Sequence, residues 1–371
     1  MRFLSANAIL ALALLCSPAL SHSGEYQVET IATGLEHPWS LAFLPDGRML
    51  VSERAGRLRI IAGGELQPEP VAGVPQAYVA DQGGLMEVLP APDFADSGWL
   101  YLSLADGRSG ATATRVVRSK LEGTRLSEVE EIFRATPERG TAVHYGGRML
   151  WLADGTLVIS LGDGFNYREQ AQNLDSHTGT IVRINADGSI PSDNPYVDAP
   201  GALPEIYSHG HRNVQGLALD PESHILWQHE HGPQGGDQLN IIRPGANYGW
   251  PVTSQAPDYT GAIITPHREL PGMVSPVHVW TPAIAPAGMA LYNGALFPEW
   301  QGNLLIAGLV SRDIRRLVLE DDRVIEEHRL LTEHDRRMRD VRVGPEGAIY
   351  VLTDHADGEI LRLTPTQDPG D

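Results

Sequence analysis

The sequence repeats one short unit: an apolar run, a Pro-Asp-Gly or Pro-Glu-Gly turn, a second alternating run, and a Gly-x-Leu or Gly-x-Ile run. Two copies are plain, LAFLPDGRMLVSERAGRLRII from Leu41 to Ile61 and VRVGPEGAIYVLTDHADGEILRLTP from Val341 to Pro365. Weaker copies begin at Val88 (VLPAPDFADSGWLYLSLAD), Arg148 (RMLWLADGTLVISLGDG), Gly216 (GLALDPESHILWQHEHG) and Gly288 (GMALYNGALFPEWQGNLLIAGL). Alternation broken by turn residues is the pattern of strand, turn, strand, and a helical period is hard to find after Gly24. A recurring unit of this kind buries its apolar face against its neighbours, which implies an internal-repeat fold.

Six copies in the roughly 348 residues beyond position 23 give about 58 residues each, enough for four strands and their loops. The expected fold is therefore all-β, a six-bladed β-propeller with four-stranded antiparallel blades, formed by one domain over residues 24–371. The alternating stretch Tyr26 to Thr33 (YQVETIAT) is predicted to pair with the C-terminal blade and close the ring, removing an exposed edge. Long inserts rich in Gly, Pro, Asn and His are expected at Ile190 to Pro204 and Gly232 to Pro286. In a repeat fold such inserts build a site on one face.

Residues 1–23 carry Arg2, an apolar run from Ala8 to Leu15 and a Ser/Pro/Ala stretch, the pattern of a cleaved secretory signal, and no second apolar span follows. The expected location is periplasmic or secreted. Cys16, the only cysteine, follows Leu15, where a lipoprotein cleavage site prefers a small residue, so plain cleavage is favoured. The mature chain would then contain no cysteine and no disulfide. With 28 Lys plus Arg against 47 Asp plus Glu, the formal charge of −19 argues against a nucleic-acid partner. Lys120 is the only lysine and sits where a strand runs into a polar turn, which disfavours Schiff-base chemistry.

Four polar segments hold more catalytic residue types than blade packing needs: AVHYGGRM around His144, LGDGFNYR around Asp163, SHGHRNVQGL around Arg212, and EHGPQGGDQLNIIRPGANYGWP from Glu230 to Pro251. His144 precedes one blade's first strand and Asp163 follows its second, so both can reach one mouth of the channel. A carboxylate on one imidazole nitrogen leaves the other as a base; the alternative is a half-buried packing histidine. His209-Gly210-His211 and His229-Glu230-His231 invite a zinc site. With no cysteine nearby and many carbonyl and carboxylate oxygens, a hard cation such as calcium is preferred, although no EF-hand loop is present.

At these segments the sequence resembles the soluble pyrroloquinoline quinone (PQQ) dependent sugar dehydrogenases, especially the aldose sugar dehydrogenase branch. The resemblance runs from about His37 to Pro365 and rests on LEHPWSLAFLPDGRMLVSERAGRL, QGGLMEVLPAPDF, VHYGGRM, SHGHRNVQGLALDP, EHGPQGGDQLNIIRPGANYGWP and MRDVRVGPEGAIYVLTD. It implies oxidation of aldoses at C1 to lactones by hydride transfer to the quinone, with calcium polarising the quinone carbonyl. His144 is implied as general base and Asp163 as the carboxylate that orients it, with Arg212 beside them at the catalytic centre. Gln82, Arg212, Asn213, Arg337 and Arg339 are implied as cofactor contacts, and Trp280 as a residue lining the cleft. The carbonyls of Gly232 and Pro233 are implied as calcium ligands, and Asp237, Gln238 and Tyr248 mark a second calcium position.

The sequence departs from the family pattern in places. Val310 occupies the position of a cofactor-binding lysine, and Arg312, two residues on, is the expected substitute if both lie on a strand. Gln238 replaces a glutamate at the second calcium position, Val143 replaces a polar residue, and Arg168 stands where some members have glutamine. A calcium-dependent propeller hydrolase of the lactonase kind, or a carbohydrate-binding propeller without chemistry, shares the expected fold. The sugar, the electron acceptor and the oligomeric state are not legible in the sequence.

Overall fold

The computed structural model describes residues 26–366. The predicted signal segment and Cys16 lie outside the described residues. The strands form six four-stranded sheets, with antiparallel pairing within each sheet; the register of the first blade runs from Pro38↔Glu53 to Phe43↔Met49 between its first two strands. The innermost strands are Pro38–Phe43, Leu85–Pro90, Met149–Trp151, Val214–Leu219, Pro286–Leu291 and Met338–Val343. Each belongs to one of the six repeat copies, so the expected six-bladed propeller is the fold. Tyr26–Leu35 pairs antiparallel with Gly358–Pro365, from Tyr26↔Pro365 to Leu35↔Gly358. The chain's first strand thus becomes the outermost strand of its last blade, and the ring closes as predicted.

Six apolar clusters pack the blades against one another. Leu50, Leu58, Leu85 and Leu102 join the first blade to the second, for example, and Leu35, Leu41, Val51 and Leu352 join the sixth to the first. These side chains come from alternate strand positions, which is why the sequence alternates.

The inner strands are braced by a device that recurs in three blades. Ser52, Ser103 and Ser160 lie on second strands; each hydroxyl accepts an N–H from its own blade, at Ser40 and Glu87 on the inner strand and at Arg148 just before it. Each also donates to a carbonyl of the next blade, at Met86, Gly147 and Val214. One hydroxyl therefore joins two blades, and in the fourth blade its register position is taken by His229. Across the axis, Arg148 pairs with Glu87 (3.0 Å) and Asp340 (3.1 Å), and Arg342 pairs with Asp340 (2.9 Å) and Glu87 (2.5 Å). This buried, alternating set of charges ties the second, third and sixth blades together.

Two expectations about segments change. The insert from Gly232 to Pro286 is not one loop: it contains the fourth blade's outer strands, Asp237–Ile242 and His278–Trp280, short runs set between Gly- and Pro-rich turns. Residues 243–277 form the actual excursion. Val310 and Arg312 do not lie on a strand but in the turn between Leu304–Gly308 and Ile314–Glu320, so the strand geometry expected for them does not hold.

Candidate active site

One mouth of the propeller is built from the segments that enter the inner strands and those that leave the second strands. Sequence-distant residues meet there for that reason. His144 enters the third blade and Asp163 leaves its second strand; His144 Nδ1 lies 2.7 Å from Asp163 Oδ1. Gly162 permits the approach, since a Cβ there would sit 2.1 Å from the His144 carbonyl oxygen. His144 itself has φ 53°, a left-handed conformation uncommon for a residue with a side chain. Its backbone is held on both sides: its N–H donates to Gln82 Oε1 (2.9 Å), and its carbonyl accepts from the Arg139 guanidinium (3.0 Å).

Asp163 is completely buried and accepts two further hydrogen bonds, from the Phe165 N–H (2.7 Å) and from Trp250 Nε1 (2.8 Å). Burial alone would raise its pKa, but the His144 hydrogen bond, the Arg212 charge and the Phe165 N–H hold it below the usual carboxylate value. His144 is pushed below its ordinary value by burial, which outweighs the opposing pull of Asp163. The pair is therefore carboxylate and neutral imidazole. A carboxylate only accepts, so the proton sits on Nδ1 and Nε2 is left with a free lone pair.

Around the axis lies a pocket lined by residues from every blade, including Trp39, Arg54, Gln82, Asn213, Arg337 and Arg339. Arg339 pairs with Asp354 at 2.7 Å and Arg337 with the same oxygen at 3.4 Å. Asn213 Oδ1 accepts from the Gly146 N–H (3.3 Å), on the approach to the third blade. His231, also in this wall, holds the Pro286 carbonyl through Nε2 (2.7 Å), and burial pushes its pKa down to about 3. Arg212 is buried, donates to the His231 carbonyl (3.1 Å), and stacks on Trp250 and Tyr259 at 5.4 and 5.7 Å. Phe165 and Tyr259 stack on each other beside His144, and Arg168 lies further out, paired with Glu169 and Asp258.

Other predicted residues lie elsewhere. Trp280 is buried in the fourth blade, donates Nε1–H to Glu327 (3.1 Å), and lines a groove between the fourth and fifth blades instead of the axial pocket. Arg312 is exposed and pairs with Asp335 at 2.9 Å, whereas Val310 does line the axial pocket. Asp237 uses Oδ1 for the Gly232 N–H and Oδ2 for the N–H groups of Ile284 and Ala285, each at 2.8 Å. Gln238, next along the strand, faces the opposite side. The Tyr248 hydroxyl is engaged by Arg243 and Ile241. The side-chain oxygens of Asp237 and Tyr248 are thus taken up by protein hydrogen bonds. Gly232 and Pro233 are buried, and no donor among the described residues fills their carbonyl oxygens. Main-chain oxygens left unfilled in this way suit a hard cation.

Arg139, Trp250, Phe165, Tyr259, Arg54 and Trp39 were not singled out by sequence reasoning. Trp250 and Phe165 sat inside flagged segments, and Arg54 and Trp39 inside a matching motif, but Arg139 and Tyr259 carry no motif signal.

This arrangement of base, cationic pocket and propeller has relatives. The family model for Glucose / Sorbosone dehydrogenase matches residues 35–362. The chain belongs to that family. Aldose sugar dehydrogenase YliI of Escherichia coli (strain K12) is 42% identical over 344 residues, covering 91% of this chain and 92% of the relative. A crystal structure of a glucose dehydrogenase is 46% identical with a TM-score of 0.88, covering 91% of this chain and 99% of that one. The PQQ-bound form of an aldose sugar dehydrogenase from Streptomyces coelicolor is 29% identical with a TM-score of 0.75, covering 92% of this chain and 98% of that one. Within the family frame, the residues around the axis fit a planar polycarboxylate: Arg54, Arg337 and Arg339 supply cations, and Trp39 supplies an aromatic wall.

Proposed function

We propose that this chain oxidises aldose sugars at C1 to lactones, with PQQ and calcium as its resident groups, after export to the periplasm or medium. The observation that carries the reading is the buried His144–Asp163 pair: Nε2 is left as the basic nitrogen, and Gln82, which accepts from the His144 N–H, lines a pocket that also holds Arg54, Arg337 and Arg339. When bound, the quinone supplies a hydride acceptor, and calcium supplies Lewis-acid polarisation of its carbonyl.

The chain's own part is proton transfer and positioning. His144 Nε2 takes the proton of the sugar C1 hydroxyl as the C1 hydride leaves, and the lactone carbonyl forms from the electron pair left on oxygen. Asp163 fixes the tautomer and stabilises the imidazolium. Gln82 holds the His144 backbone and, with Arg212, Asn213, Arg337 and Arg339, would hold the cofactor. The carbonyls of Gly232 and Pro233 would hold the cation. Phe165 and Tyr259 narrow the approach to His144 and exclude water from one side of it.

The test is the visible spectrum of apo-protein mixed with PQQ and calcium, followed on addition of an aldose. Bleaching of the oxidised quinone supports the reading. A protein that leaves the PQQ spectrum unchanged, and hydrolyses lactones with calcium alone, would instead be a hydrolase on the same fold.

A further inference from the structure

The three arginines of the axial pocket are not equivalent. Arg337 and Arg339 share one carboxylate, Asp354, which also meets His37 Nδ1 at 3.0 Å. Arg54 comes from the first blade, and no carboxylate of the described residues lies within 4.0 Å of it. Its side chain makes one hydrogen bond among them, from Nη1 to the Asp81 carbonyl at 3.1 Å. Counting formal charge, three arginines less Asp354 give +2 at the pocket, and +1 if Arg54 is left out.

The place of Arg54 is set by backbone contacts. Its N–H donates to the His37 carbonyl (3.1 Å), and its carbonyl accepts from the Leu85 N–H (3.2 Å). Gly84, at φ 147°, passes so close that a Cβ there would lie 1.9 Å from the Arg54 carbonyl oxygen and 2.8 Å from its Cγ. The second glycine of DQGGL therefore seats the Arg54 stem against the loop that carries Gln82. An unneutralised guanidinium held in this way pays little ordering entropy when an anion arrives.

We propose that Arg54 is a cationic anchor for a carboxylate of the bound cofactor, extending the Arg337 and Arg339 arc from the sixth blade onto the first. The inference rests on the PQQ reading above. It makes Arg54, and not Arg312, the charge that offsets the missing lysine at Val310.

The experiment titrates the full apo-chain with PQQ and follows quenching of tryptophan fluorescence, since Trp39 lines the pocket. Arg54→Gln should raise the dissociation constant by about tenfold to a hundredfold, as expected for loss of one hydrogen-bonded charge partner. Arg54→Lys, which keeps the charge but loses the fork, should fall between Arg54→Gln and wild type. The trimethyl ester of PQQ, which lacks the carboxylate charges, should bind wild type and Arg54→Gln alike. If PQQ binds wild type and both variants equally, the anchor is overturned while the quinone reading stands. If acid and ester are weakened equally by Arg54→Gln, Arg54 acts by packing and the anchor is again overturned. Should wild type fail to bind PQQ, the quinone reading falls, and the anchor with it.

Discussion

Asp163 grips His144 across 2.7 Å between two ends of one blade, and the same carboxylate grips Trp250, 87 residues further along the chain. Three donors converge on two oxygens, so the imidazole cannot rotate without leaving a buried N–H unpaired. The geometry fixes which nitrogen carries the proton before any substrate arrives.

His144→Ala removes the proposed base and should lower turnover by about 10²–10⁴-fold while leaving PQQ affinity close to wild type. Asp163→Asn should cost less, because the base remains. Its amide sets an N–H donor against one of three donors and weakens the orientation. Steady-state kinetics beside a PQQ titration checks both; equal losses would give Asp163 a direct chemical part.

The pH profile supplies an independent check. Burial lowers the His144 pKa below 6.5, so the base form persists as pH falls through that value, and kcat/KM should decline only at more acid pH. Asp163 opposes that shift. Asp163→Asn should therefore move the acid limb further down while lowering the plateau, since a weaker base transfers the proton less readily. An acid limb above pH 6.5 in wild type would contradict this assignment.

Much of the fold was legible because it is written in alternation and turns, which recur six times. The site was legible where glycines and charged residues cluster in the connecting segments, as at His144, Asp163 and Arg212. What stayed hidden depends on register and on the ring. Ser52, Ser103 and Ser160 look like ordinary strand serines until the next blade's carbonyl comes within reach. Tyr259 reaches His144's neighbourhood only through an excursion of the fourth blade, and Arg54 reaches the axis because Gly84 gives way. Arg312 stays outside the pocket because it lies in a turn and not on a strand, and Trp280 because it lies on the fourth blade's outermost strand.

Ser103→Ala should destabilise the protein by about 1–3 kcal/mol, since it leaves the Glu87 N–H and the Gly147 carbonyl without their buried partner. Denaturant unfolding checks the value. The exposed Ser189→Ala, which loses only hydroxyl contacts to Asp187 and Asn185 within its own turn, should cost far less.

Acid should weaken the fold through its buried histidines. Burial lowers His209 to about 4 and His231 to about 3, and it lowers His229 well below its ordinary value. Below pH 6.5 the unfolded chain binds protons that the folded chain refuses, so stability falls as pH drops from 6.5 toward those folded values. Each such group contributes roughly 1.4 kcal/mol per pH unit across its window. Denaturant midpoints from pH 7 to 4.5 should fall steadily, and a flat profile would contradict the neutral, buried state of these rings.

Val310 marks where the axial pocket can be improved. It lines that pocket and is 59% exposed, so a longer side chain there meets solvent and the cavity without clash. Val310→Lys adds a flexible cation at the rim and should tighten PQQ binding roughly two- to fivefold, the range for a solvated ion pair. Arg312, two residues on, is held by Asp335 in an exposed turn. Its charge is already neutralised and screened, so Arg312→Ala should change PQQ affinity by less than Val310→Lys does. Titration at two salt concentrations decides the matter: the Val310→Lys gain should shrink as salt rises, because an exposed pair is screened. A gain that survives high salt would mean that the new side chain acts by packing, and a tenfold loss with Arg312→Ala would return Arg312 to the pocket.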